Sequence, residues 1–93
     1  MFTVNEYFDG NVKSLAFQGQ PLASSLGVMA KGEYKFDTSQ KEVMTVVAGQ
    51  MNVKLPGSND WQTFNATESF RIDANQSFLA RVDADTAYLC TYE

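Results

Sequence analysis

The sequence predicts a single all-β domain, and three observations carry that reading. Short runs of β-branched, aromatic and aliphatic residues alternate with polar ones; Gly, Pro, Asn, Asp and Ser interrupt them at regular intervals; and no segment sustains a helical period. Turn signals recurring about every ten residues mark a sandwich or barrel rather than a parallel sheet. The 93 residues make one domain, 1–93, with a thin core. A hydrophobic fraction of 44% with 13% aromatics is enough to build that core and excludes a disordered chain.

Taken in order, the first clear strand is Val12 to Phe17, ended by Gln18-Gly19-Gln20-Pro21. Leu22 to Lys31 follows, with Gly27 marking either a bulge or a close approach to the backbone. Gly32 to Phe36 alternates cleanly, and Asp37-Thr38-Ser39-Gln40 is a polar loop. Glu42 to Ala48 is apolar on both faces and reads as a central strand, whereas Gln50 to Leu55 is apolar on one face only. Gly49 between them is expected to form the corner of a hairpin, since glycine reaches positive φ without a Cβ clash. Beyond Pro56-Gly57 come strands at Trp61 to Phe64, Glu68 to Ile72, Ser77 to Val82 and Thr86 to Tyr92. Asp73 to Gln76 and Asp83 to Asp85 turn between the last three.

The charge balance narrows the function. Seven basic residues face eleven acidic ones, a net −4, and the basic residues are scattered. No stripe exists to neutralise phosphates, so no nucleic-acid polymer is expected as a partner. Any anionic ligand has to be held by a few local donors. The N-terminus lacks the basic start and apolar run of a signal peptide, and no stretch approaches a membrane helix. The expected address is the cytoplasm, with no membrane partner. The single cysteine, Cys90, forms no internal disulfide and reads as a buried structural thiol. Histidine is absent, which removes the usual general base.

Glu42 and Gly49, with six residues between them, meet the spacing of the first cupin motif, a jelly-roll-like antiparallel β-barrel class. The second motif falls on Thr67, Asp73, Asn75 and Phe78 and keeps none of its letters. Metal cupins place histidines where this chain has Lys35 and Asp37, or Phe36 and Thr38, and again at Phe78. Such a set does not suit a transition metal, so no metal and no cofactor are expected.

At a finer grain the chain resembles the small bacterial pyrimidine/purine nucleoside phosphorylases of the cupin class. The resemblance runs from Asn5 to Tyr92. It rests on Asn5-Glu6-Tyr7-Phe8 with Gly10, Val12-Lys13-Ser14, Gly27-Val28-Met29 and Gly32-Glu33-Tyr34 with Phe36. It continues in Met44-Thr45-Val46 with Gly49, Asn52-Val53 with Leu55-Pro56, Asp60-Trp61, and Tyr88-Leu89-Cys90 with Tyr92. It implies a broad-specificity pentosyltransferase, a glycosyltransferase that reversibly phosphorolyses purine and pyrimidine nucleosides to free base and pentose 1-phosphate. It also implies a cytosolic, metal-independent homodimer with inorganic phosphate as co-substrate. A proline-glycine turn usual to the family is missing at Asp73 to Gln76.

Cleaving an N-glycosidic bond builds positive charge on the sugar, as in glycoside hydrolysis. Glu42 is the expected catalytic carboxylate, set by the motif spacing to point inward; the alternative is an exposed glutamate paired with Lys41 or Lys35. Lys13 and Ser14 are expected to hold phosphate, although adjacent strand residues point to opposite faces and one should miss the cavity. Arg71 and Arg81 are better phosphate forks but lie outside the matching blocks. Glu33 and Tyr34 occupy opposite faces, so one of them faces the substrate. Met44 and Thr45, with the rings of Phe8, Phe78 and Tyr92, complete the expected substrate-binding set; for each ring, packing in the core is the competing reading and the commoner fate of an aromatic side chain. Trp61 reads as a hairpin anchor or dimer contact. Two other readings compete with the enzyme: a non-catalytic cupin binding a sugar or nucleoside, and a structural dimer whose pocket is filled by Phe78 and Met44.

Overall fold

The alternation is realised as ten strands and no helix across residues 2–93, which the computed structural model describes. Six strands form one antiparallel sheet in the order β1 (Thr3–Tyr7), β2 (Val12–Gln18), β3 (Ala23–Met29), β10 (Thr86–Tyr92), β5 (Glu42–Ala48), β8 (Ser69–Ile72). Four form a second: β4 (Gly32–Asp37), β9 (Ser77–Val82), β6 (Gln50–Lys54), β7 (Gln62–Asn65). The sheets pack face to face over a core that includes Val12, Met29, Val46, Met51, Val53 and Val82, each 1% exposed or less. The expected closed barrel is thereby corrected. The two sheets share no strand, and each keeps its own edges: β1 and β8 on one, β4 and β7 on the other.

The expected hairpin at Gly49 is corrected as well. Both arms are strands, but β5 pairs with β10 and β8, and β6 pairs with β7 and β9. Gly49, at φ +93°, carries the chain from one sheet to the other. A Cβ there would stand 2.8 Å from Thr86 Oγ1, so the corner is packed as well as turned. Met44 and Val46 on β5 then face Met51 and Val53 on β6 across the sandwich, where a hairpin would have set them side by side in one sheet. The expectation that β5 is internal holds. Its second apolar face (Val43, Thr45, Val47) lies on the outside of the six-stranded sheet.

The strand β1 went unread, because Thr3–Tyr7 is mostly exposed and pairs only along the β2 edge. Without a proline-glycine turn, Asp73 to Gln76 is held by Thr38. The Thr38 Oγ1 donates to Asp73 O (2.6 Å) and accepts from Gln76 N (3.0 Å). Asn75 takes the positive φ that glycine would otherwise supply.

Gly27 marks a close approach and no bulge. It pairs in register with Ser14 and Tyr88, and the Tyr88 ring lies on its backbone, so that an added Cβ would stand 2.4 Å from Tyr88 Cζ. Gly27→Ala is therefore expected to displace the ring and destabilise the fold by about 1–3 kcal/mol, the usual range for overpacking. A lowered urea midpoint with unchanged slope checks it.

Candidate functional site

The pleat of the six-stranded sheet sorts its inward residues into one wall. Glu42, Met44, Tyr88, Cys90, Ser14 and Ser25 all project from it into a cavity of about 310 Å³, at the lower end of the small-molecule range of about 300–1,000 Å³. Aromatic rings form most of the rest. Phe36 and Phe78 stack with centroids 5.5 Å apart, and Phe8 closes on Phe36 at 5.6 Å and on Tyr34 at 4.9 Å. Tyr7 and Tyr92 add two further rings from the six-stranded sheet, and the edge strand β4 brings Lys35 and Asp37 to the mouth. The cavity is lined, and not filled, by Phe78 and Met44, which removes the basis for the purely structural reading.

Glu42 opens β5 and pairs in register with Tyr92 on one side and Ile72 on the other. Neither alternative partner holds it: Lys41 sits 3.8 Å from Glu93, and no ion pair joins Glu42 to Lys35 among the described residues. Its Oε1 instead accepts from Cys90 Sγ at 3.2 Å. Burial raises the Glu42 carboxyl above the ordinary glutamate range, and the thiol's hydrogen bond pulls it partly back. The Cys90 thiol is itself pushed far up, first by burial and then by the neighbouring carboxylate, so it stays a neutral donor and no nucleophile. Beside them the Tyr92 hydroxyl, raised to about 12 mainly by burial, shares a 2.8 Å hydrogen bond with Ser25.

Of the expected residues, the cavity gathers Glu42, Met44, Ser14, Phe8, Phe78 and Tyr92. Four lie elsewhere. Lys13 is on the outer face, 3.5 Å from Glu6, because its neighbour Ser14 takes the inward position. Glu33 is exposed on the outer face of β4, while Tyr34, the inward one of that pair, spends its hydroxyl on Ala30 O (2.6 Å) and packs as core. Thr45 faces outward and bonds Ser69 Oγ at 2.7 Å. Trp61 lies under the Arg81 guanidinium at 4.3 Å, on the hairpin it was expected to anchor. Sequence reading passed over Ser25, Tyr7, Tyr88, Lys35, Phe36, Asp37 and Cys90 as site residues. Period-two alternation with Ser14 across β2, β3 and β10 marks three of them, but only once the register is known.

A cupin metal does not fit this donor set. The places of the usual imidazoles hold Lys35 and Asp37, or Phe36 and Thr38, and then Phe78, none of them an imidazole, and the thiol beside Glu42 stays protonated. No group of three potential ligands occurs among the described residues.

Residues 2–92 match the family model described as pyrimidine/purine nucleoside phosphorylase. A curated pyrimidine/purine nucleoside phosphorylase from Marinobacter nauticus is 62% identical over 92 residues, 99% of both chains. Among solved structures, a protein of unknown function from Vibrio parahaemolyticus superposes with a TM-score of 0.95 at 46% identity, covering 100% of this chain and 99% of that one. An RmlC-like cupin from Shewanella frigidimarina shares the fold at TM-score 0.76 and 20% identity, covering 98% and 82%.

The hydrogen bond to Glu42 has a measurable consequence. In a carbon-13 NMR titration of its side-chain carboxyl, Glu42 should titrate above an ordinary glutamate. Cys90→Ala should move it higher still, while Cys90→Ser, which keeps a donor, should stay near wild type. The linkage follows in sign: a carboxyl raised in the folded state stabilises the fold at low pH and loses that contribution as pH rises through its folded value. Glu42→Gln should therefore raise the melting temperature at neutral pH, with the gain vanishing below about pH 4.

Proposed function

The chain belongs to the pyrimidine/purine nucleoside phosphorylase family, and on that premise we propose that its cavity carries out reversible phosphorolysis of purine and pyrimidine nucleosides. The single observation behind the reading is a desolvated carboxylate, Glu42, in an aromatic cavity of small-molecule size. The nucleoside enters with its base against the rings of Phe8, Phe36 and Phe78. Flat apolar walls tolerate both base classes, because stacking is indifferent to base identity. Glu42 faces the sugar and stabilises the cationic anomeric carbon as the bond to the base lengthens. Orthophosphate forms the new C1–O bond, and the electron pair of the breaking C–N bond leaves with the base. This makes the protein a pentosyltransferase. It works without a metal, on the donor argument above, and we place it in the cytoplasm.

The sugar- or nucleoside-sensing alternative uses the same cavity without turnover, and one assay separates the two. Uridine or adenosine incubated with and without phosphate should release base only when phosphate is present; binding without release would favour the sensor. Glu42→Gln should cut turnover about 10²–10³-fold, the cost of removing one preorganised electrostatic contact. Wild-type turnover in a folded Glu42→Gln variant would end the assigned role.

The working unit in this reading is a homodimer. The outer face of the six-stranded sheet carries an apolar row that runs in register through Val4, Leu15, Leu26 and Leu89. Val4, Leu26, Val28 and Val47 are 47–64% exposed on it. Such a face in so small a domain favours a second copy. Sedimentation equilibrium should give a dimer for wild type and a monomer for Leu26→Lys; a dimer unaffected by that charge would move the interface elsewhere.

A further inference from the structure

Phosphorolysis brings an anion into a chain of net charge −4 and a cavity that already holds Glu42. A cation is needed, and most of the basic residues are committed elsewhere. Lys13 lies 3.5 Å from Glu6, and Lys41 and Arg71 both reach Glu93, at 3.8 and 3.5 Å. Arg81 lies over the Trp61 ring at 4.3 Å, and the Lys54 ammonium is 6.0 Å from the same ring. Lys31 is not among the residues that line the cavity. Lys35 does line it, and among the described residues no carboxylate stands within ion-pair distance of it.

The place of Lys35 follows from topology. By parity Lys35 shares the outward face of β4 with Glu33, but β4 is an edge strand, so that side chain borders both the cavity and the groove beside it and lines each of them. The flexible four-carbon stem lets its ammonium reach across that border. Asp37, two residues on, is engaged by Ser77 Oγ at 2.5 Å and does not neutralise it. Ser14 is the second observation. It is 7% exposed as a residue and lines the cavity; no buried side-chain polar atom among the described residues lacks a partner, so its hydroxyl, which bonds to no other side chain or backbone group there, opens onto the cavity. A hydroxyl open to the cavity and not engaged by the protein is free to donate to a ligand there.

We propose that orthophosphate is held in this cavity by the Lys35 ammonium and the Ser14 hydroxyl, with Lys13 taking no part. The assignment rests on the phosphorolysis reading. Cation plus neutral donor is the pairing an oxyanion takes, with charge-assisted bonds supplying most of the affinity.

Two measurements on the full chain test it. Titration with inorganic phosphate, followed by amide shifts in ¹H–¹⁵N NMR, should move residues around Ser14 and Lys35. Lys35→Gln should weaken that binding about tenfold or more, Ser14→Ala severalfold, and Lys13→Ala not at all, given the usual worth of a hydrogen bond to a charged group. Lys35→Arg should restore most of it. In uridine phosphorolysis, Lys35→Gln should raise the phosphate KM to the same degree while the uridine KM stays within about twofold. Phosphate binding that is unchanged in Lys35→Gln, or lost in Lys13→Ala, overturns the assignment. Phosphate binding that depends on Lys35 in a wild-type protein that releases no base would leave the anion site standing and remove the phosphorolysis reading instead.

Discussion

A strand has a period of two, and that period forces a carboxylate into this core. Met44 and Val46 are 5% exposed or less on the inward face of β5, and Glu42 shares their face by parity. The strand cannot bury its apolar residues without carrying Glu42 inward too. Because β5 is hydrogen-bonded on both sides, to β10 and β8, a slip of register to expose the glutamate would cost both ladders. The carboxylate is retained at an electrostatic cost, and the Cys90 thiol offsets part of it. A buried group kept at a cost, in a cavity, is the pattern of a functional site.

Around that constraint the two sheets divide the labour. The six-stranded sheet provides polar atoms: Glu42, Cys90, Ser14, Ser25 and Tyr92. The four-stranded sheet contributes the rings of Phe36 and Phe78 and the charged rim at Lys35. Gly49 lets consecutive strands serve opposite sheets, so one short segment builds both walls. Gly27 performs a different service, since its missing side chain makes room for the Tyr88 ring behind Ser14 and Cys90.

Charge placement follows the same logic of pairing and release. Exposed pairs such as Lys13–Glu6 contribute little to stability, about 0–1 kcal/mol, yet they take cations out of contention for a ligand. Lys35 is left uncommitted at the cavity mouth, and its position on an edge strand, not its neighbours in sequence, makes it available.

Alternation and turn residues determined the all-β class, and nine of the ten strands were legible to within a residue or two, because local pleat and turn chemistry are written locally. β1 escaped because its pairing lies along one edge and leaves most of it exposed. Cupin spacing placed Glu42 inward, and the residue blocks from Asn5 to Tyr92 indicated the family. The pairing of strands was decided only in three dimensions. Gly49 looks the same in a hairpin and at a corner between sheets, since both need a positive φ and only distant partners choose between them. For the same reason the sequence could say that Lys13 and Ser14, or Glu33 and Tyr34, face opposite ways, but not which one faces in. Sidedness belongs to the packed sandwich, where burial of the many apolar residues dictates the orientation of the few polar ones.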